Sequence, residues 1–161
     1  MPSHSLEPVI VAIKTRLPAR HETVFDAWVT PDIAKAFFFT TPTGEVVRYE
    51  MAPQTGGTFT ITERRPKDDG QPGTHDVLHL GHYIEIARPD RLVFSFSVPQ
   101  YSSEETVVAL DFVSVSSGDC DLTLTHSLGS SETAHQYRDQ TEKGWRTVLG
   151  RLEKALARRQ G

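Results

Sequence analysis

The chain has 161 residues, 37% hydrophobic and 24% charged, which is the composition of a folded globule the size of one domain. Its 17 basic residues against 21 acidic ones give a net charge of −4, which argues against a nucleic-acid binder, whose footprint is a basic face. The lone cysteine excludes an internal disulfide, no apolar run approaches the ~20 residues that span a bilayer, and Met1 to Glu7 lacks an apolar signal core. A single cytoplasmic domain, with residues 1–7 disordered, is expected.

Residues 9–17 read as the first strand. Val9, Val11, Ile13, Thr15 and Leu17 alternate with Ile10, Ala12, Lys14 and Arg16, a period of two that marks one buried face. Pro18 stops the pairing. Val24, Phe25 and Trp28 then recur at helical spacing, and this short helix ends at Thr30. Thr30-Pro31-Asp32 restarts a second helix: Thr suits the cap, Pro the first turn and Asp the positive helix end. Ile33 and Phe37 fall four apart on one face of it, and Thr41-Pro42-Thr43-Gly44 closes it.

A run of strands follows at 45–51, 58–64, 76–87, 91–98, 106–115 and 120–128. Gly56-Gly57, Pro89-Asp90 and Ser116-Ser117-Gly118-Asp119 supply short turns, while 65–73 reads as a long hairpin tip. Short turns between neighbours imply an antiparallel meander. The chain ends in a long helix at 131–159, with Tyr137, Thr141, Trp145, Val148, Leu152 and Leu156 as its apolar stripe. About 25 residues span roughly 37 Å, enough to cross a curved sheet. Gly144 beside Trp145 is a poor helix former, which a close approach of the sheet would explain. The fold class is therefore α+β: a curved antiparallel sheet of about six to seven strands around a long C-terminal helix, with two short helices after strand one.

Several local strings occur in a familiar order. They are Val24-Phe25-Asp26-Ala27-Trp28-Val29 before Thr30-Pro31-Asp32, then Gly56-Gly57-Thr58-Phe59 and Gly81-His82-Tyr83-Ile84-Glu85-Ile86. Next come Pro89-Asp90-Arg91-Leu92-Val93-Phe94, Leu122-Thr123-Leu124-Thr125-His126, and Gly144-Trp145 with Leu149 and Leu152. With these strings the chain resembles the START-like superfamily (SRPBCC, polyketide cyclase and birch-pollen-allergen-like) of helix-grip fold. Within it, the chain is most similar to the family named after the activator of the heat-shock-protein-90 ATPase. The strings are specific for the family and not for one activity. Where many members carry a Trp pair, this chain has Phe37-Phe38-Phe39, which keeps the aromatic bulk and loses the indole donors. In the eukaryotic co-chaperone a separate N-terminal domain makes much of the chaperone contact, so the resemblance implies shared fold and ancestry and leaves a chaperone partner open.

The resemblance also implies a cavity between sheet and helix that takes a small apolar molecule. Candidate lining residues are Phe37, Phe38, Phe59, Tyr83, Phe94, Phe96, Leu124, His126, Tyr137 and Trp145. For each ring, plain core packing is the competing reading. His126 ends the inward series Leu122, Leu124, His126; it is either a ligand-orienting group or base, or a buried histidine satisfied by a backbone carbonyl. Among the seven histidines, His75, His79 and His82 suggest a metal only on a helix. On a strand His79 and His82 point to opposite faces, and His75 lies ~13 Å from His79, so no metal or other cofactor is expected. Glu85 and Asp111 are a possible carboxylate pair, or surface groups paired with an arginine such as Arg91. No phosphate loop or nucleophile elbow is present.

Three functions remain. A binding protein for a small apolar ligand is favoured. A cyclase or aromatase would use His126, Tyr83 or Glu85 for proton transfer in the same cavity. An interaction protein would bind a chaperone or a second copy of itself through an exposed Phe37-Phe38-Phe39 edge.

Overall fold

A computed structural model describes residues 7–38, 44–67, 70–99, 105–115 and 118–160. The element order is β1 (Val9–Leu17), α1 (His21–Val29), α2 (Pro31–Ala34), β2 (Glu45–Met51), β3 (Thr58–Pro66), β4 (Thr74–Ala87), β5 (Arg91–Ser97), β6 (Thr106–Ser114), β7 (Cys120–Gly129) and α3 (Glu132–Gln160). The seven strands form one antiparallel sheet in the order β1-β7-β6-β5-β4-β3-β2. Only the link from β1 to β2 is long. It must cross from one edge of the sheet to the other, and α1 and α2 carry it. This is the helix-grip arrangement.

Alternation fixes which side chains face inward. Val9, Val11, Ile13 and Leu17 of β1 are buried, as are Val108, Leu110 and Phe112 of β6 and Cys120, Leu122, Leu124 and His126 of β7. Helix α3 supplies Ala134, Trp145, Val148, Leu149, Leu152 and Leu156. Its backbone runs closest to β1, then β7. Helix α1 lies against β6 and β7 and α2 against β2, while Phe38 packs on Phe59 of β3 and Phe94 of β5, and Trp145 of α3 reaches Phe96 of β5.

Four local expectations need correction. Thr30 occupies the cap position of α2 but its side chain makes no capping bond, and α2 is a single turn. By contrast, Ser131 does cap α3: its hydroxyl accepts the Ala134 N–H at 3.0 Å. Glu85 does not share a face with Tyr83. A bulge in β4, between the pairs Tyr83–Phe94 and Glu85–Val93, inserts one extra residue and turns Glu85 to the outer face. Gly144 faces open space, with nothing near enough to exclude a side chain. Its substitution by alanine is therefore expected to stabilise the protein by about 0.5–1 kcal/mol, read from urea unfolding; a loss of stability would mean that the glycine serves a contact.

Residues 41–43, 68, 69, 116 and 117, within the expected turns, lie outside the described residues, as does Phe39. So do residues 1–6 of the segment expected to be disordered; Glu7 is held, its carbonyl accepting from His135 Nε2 at 2.9 Å.

Candidate functional site

The concave face of the sheet carries a continuous aromatic cluster. Phe59 on β3 has room to lie over β4 because residue 81 is glycine: a Cβ there would collide with the Phe59 ring and the Ser95 carbonyl. Phe59 packs on Tyr83 at 5.6 Å and on Phe94 at 5.6 Å between ring centroids. Phe38 joins from the end of α2, 5.8 Å from Phe59 and 5.5 Å from Phe94. Trp28 of α1 stands edge-on to Phe37 at 5.0 Å and to Phe38 at 5.3 Å. Phe96 links this group to His126 at 5.2 Å and to Trp145 at 6.3 Å. Edge-to-face pairs of this kind add to the stabilisation that burial gives.

A polar link crosses the cluster. Trp145 Nε1 on α3 donates to His126 Nδ1 at 2.9 Å, and His126 Nε2 lies 2.7 Å from the Thr106 hydroxyl on β6. An indole nitrogen only donates, so Nδ1 must be the acceptor and the imidazole proton sits on Nε2, pointed at Thr106. Burial pushes the pKa of His126 down to about 4. The ring is thus neutral at pH 7 and both its nitrogens are engaged. The expected partner, a backbone carbonyl, is replaced by two side chains.

A second polar group lies on β3 and β4, nearer the β2 edge of the sheet. Glu63, fully buried, follows Phe59 and Ile61 on the inner face of β3 and is ion-paired with Arg65. His79 of β4 is also buried, its Nδ1 3.4 Å from the Ile61 carbonyl. Burial, with the nearby Arg65 charge, pushes its pKa down to about 4. Among the described residues three donors in the aromatic region have no hydrogen-bond partner although their atoms are buried: Trp28 Nε1, the Tyr49 hydroxyl and the Tyr83 hydroxyl.

Of the residues named from sequence, Phe37, Phe38, Phe59, Tyr83, Phe94, Leu124, His126 and Trp145 are buried together, with Phe96 partly buried against them. Tyr137 is not among them. It is 44% exposed, in the stretch of α3 at 135–140 that is exposed throughout, between the buried Ala134 and Trp145. Glu63 and Tyr49 were not named; their place in the odd-numbered rows of β3 and β2, beside Phe59, Ile61 and Met51, was the available signal.

The outer face holds ion pairs. Arg91 bridges Glu85 at 3.4 Å and Asp111 at 2.6 Å, so these two carboxylates serve an arginine and not each other. His82 points outward, opposite to His79. Its Nδ1 meets both the Ser95 hydroxyl at 2.7 Å and Glu105 at 3.2 Å. The Ser95 hydroxyl also lies 3.4 Å from Nε2, but its short contact is to the Nδ1 that meets Glu105; a serine–histidine–carboxylate relay has its short serine contact on the nitrogen opposite the carboxylate. Cys120 is buried, which pushes its thiol up to about 11 and keeps it unreactive. Among the described residues no cluster of His, Cys, Asp or Glu has a geometry that would hold a metal ion. No helix of the described residues is long and apolar enough to cross a membrane. An open groove of about 470 Å³ is lined by Thr147, Gly150, Arg151 and Lys154, on the side of α3 turned away from Trp145 and Leu152.

The family model described as activator of Hsp90 ATPase homolog 1-like protein matches residues 18–157. The chain belongs to this family. Its fold is similar to that of protein NE0264 from Nitrosomonas europaea, with a TM-score of 0.77 and 17% identity over 94% of this chain and 96% of that one. It is equally similar to a protein of unknown function, SA2116, from Staphylococcus aureus, with a TM-score of 0.77 and 16% identity over 96% and 97% of the two chains. The AHSA1-like protein from Aeromonas hydrophila has a TM-score of 0.69 and 21% identity over 92% of each. The curated proteins contain no significant sequence match.

Proposed function

We propose that the chain binds a small, largely apolar molecule on the concave side of the sheet, between β2–β5 and the long helix. One observation carries the reading. Tyr49, Met51 and Phe96 turn toward the core and pack against it, yet each stays partly uncovered, on the part of the sheet that the α3 backbone does not approach. Aromatic and apolar groups left partly open beside a buried aromatic wall are what a ligand mouth requires. The same reading makes the chain one cytoplasmic domain that needs no cofactor.

The enzyme alternative loses two of its three groups: His126 has both nitrogens engaged and Glu85 lies on the outer face. The sticky-edge alternative loses Phe37 and Phe38, both buried. A homodimer or a chaperone partner is not needed for the binding role.

Thermal unfolding with a panel of neutral bicyclic and tricyclic aromatic molecules tests the proposal. A probe at 100 times its Kd adds about 2.7 kcal/mol, a shift of several degrees in Tm. If the whole panel leaves Tm unchanged, the binding role is lost.

A further inference from the structure

The core of the site has a chemical bias that goes beyond being apolar. Among the described residues the unpartnered buried atoms in its aromatic region are all donors, two phenol hydroxyls and an indole N–H. Tyr83 packs on Phe59 and pairs with Phe94 across the strands, so it faces the inside. Tyr49 lies opposite Ile61, also an inward position. Trp28 approaches from α1 on the other wall, against Phe37 and Phe38. A buried hydroxyl without a partner is destabilising, so leaving three such donors in one region makes sense when something else accepts from them.

The charges facing the site narrow the acceptor. Besides the two phenols, the buried ionisable groups of the described residues facing the site are Glu63, His79 and His126, with the half-buried Arg65 against Glu63. Glu63 is bound to Arg65, and His126 is held by Trp145 and Thr106. Both histidines are neutral at pH 7 because burial disfavours their charge. The phenols stay protonated as well: burial raises both, and the neighbouring Tyr83 raises Tyr49 further. Among the described residues Arg65 is committed to Glu63, and Arg151, whose Nη1 is buried without a partner, lines the groove on the side of α3 turned away from Trp145, so a carboxylate or phosphate here would be desolvated without compensation. A neutral oxygen would not.

We propose that Tyr49 and Tyr83 donate hydrogen bonds to a carbonyl oxygen of an uncharged, planar, otherwise apolar ligand. The site is thus selective for ketone- or quinone-like molecules over hydrocarbons and over acids of the same frame. This rests on the ligand-binding reading above.

The test uses matched probes of two sizes: indane, 1-indanone and indane-1-carboxylate, then fluorene, 9-fluorenone and fluorene-9-carboxylate. Affinities are measured by titration calorimetry for the wild type, Tyr49→Phe and Tyr83→Phe. One added hydrogen bond gives about a 3- to 10-fold preference for the ketone over the hydrocarbon. Each Phe variant is expected to reduce that preference and leave hydrocarbon affinity unchanged, with the acid weakest throughout. The Phe variants also remove an unpartnered hydroxyl, so Tm without ligand is expected to stay level or rise. A merely structural role for the hydroxyls would lower it, and would overturn the proposal. Equal binding of ketone and hydrocarbon to the wild type, or a preference that survives both Phe variants, overturns it too while leaving the apolar site standing. Failure of every probe to bind removes the apolar site and this inference together.

Discussion

Acidification from pH 6.5 to about pH 5 is expected to remove a large part of the protein's stability before its carboxylates protonate. His79 and His126 are both held down to about 4, against an ordinary value of 6.5. In the unfolded chain they take up protons through pH 6.5; in the folded protein they do not until about pH 4. The unfolded state therefore binds more protons in that window, and stability falls as pH falls through it. A depression of this size corresponds to roughly 3 kcal/mol for each histidine, fully present above pH 6.5. Two such groups approach the whole margin of a small domain, about 5–15 kcal/mol. Asp26, Asp121 and Glu50 are lowered by their arginine partners, so their contribution is lost at more acid pH and is separable. Urea unfolding from pH 7 to pH 4 is expected to give a slope equivalent to about two protons taken up on unfolding near pH 5. A flat profile would contradict the neutral, buried state of both rings.

Replacement of His126 by alanine is expected to cost about 3–4 kcal/mol. The change leaves a void among Phe96, Trp145 and Leu124, and it strands the indole N–H of Trp145 inside the core. Thr106 loses its partner as well. Trp145→Phe removes the donor together with part of the indole, so about 1–2 kcal/mol is expected from the unpaired Nδ1, with a further loss from the smaller ring. The two changes share one bond. A double-mutant cycle is expected to show about 1 kcal/mol or more of coupling, and strict additivity would mean that the indole and imidazole do not meet. The link also joins α3 to strands β6 and β7, so its loss is expected to loosen the grip of the helix near Trp145. Faster amide exchange in the middle of α3 would report it.

The strands were legible because their signal is local. Period-two alternation in Val9 to Leu17, or in Val108, Leu110 and Phe112, needs no partner to be read. The boundaries of β2 follow from a proline–glycine-rich stretch on one side and Gly56-Gly57 on the other. Features that depend on register were not legible. The bulge that turns Glu85 outward has no residue signature in Tyr83-Ile84-Glu85, and only pairing with Phe94 and Val93 reveals it. Tyr137 continued the helical stripe, but a stripe does not say which of its turns are covered by the rest of the fold. His126 was read as buried and is; its partners come from 19 and 20 residues away, and no local rule selects Trp145 and Thr106 over a carbonyl. The unpartnered phenols of Tyr49 and Tyr83 are a property of what is missing around them, which no sequence pattern encodes.

The central claim is that a ligand enters at the uncovered inner edge of the sheet, and Met51 is placed to report it. The chain has only two methionines, so a sample labelled with 13C at the methionine methyls gives a spectrum with one informative signal at the site. Titration with 9-fluorenone or 1-indanone is expected to move the Met51 methyl signal to saturation, at the same midpoint as the rise in Tm. A Met51 signal that stays in place while a probe binds and stabilises the protein would put the ligand elsewhere and contradict the account.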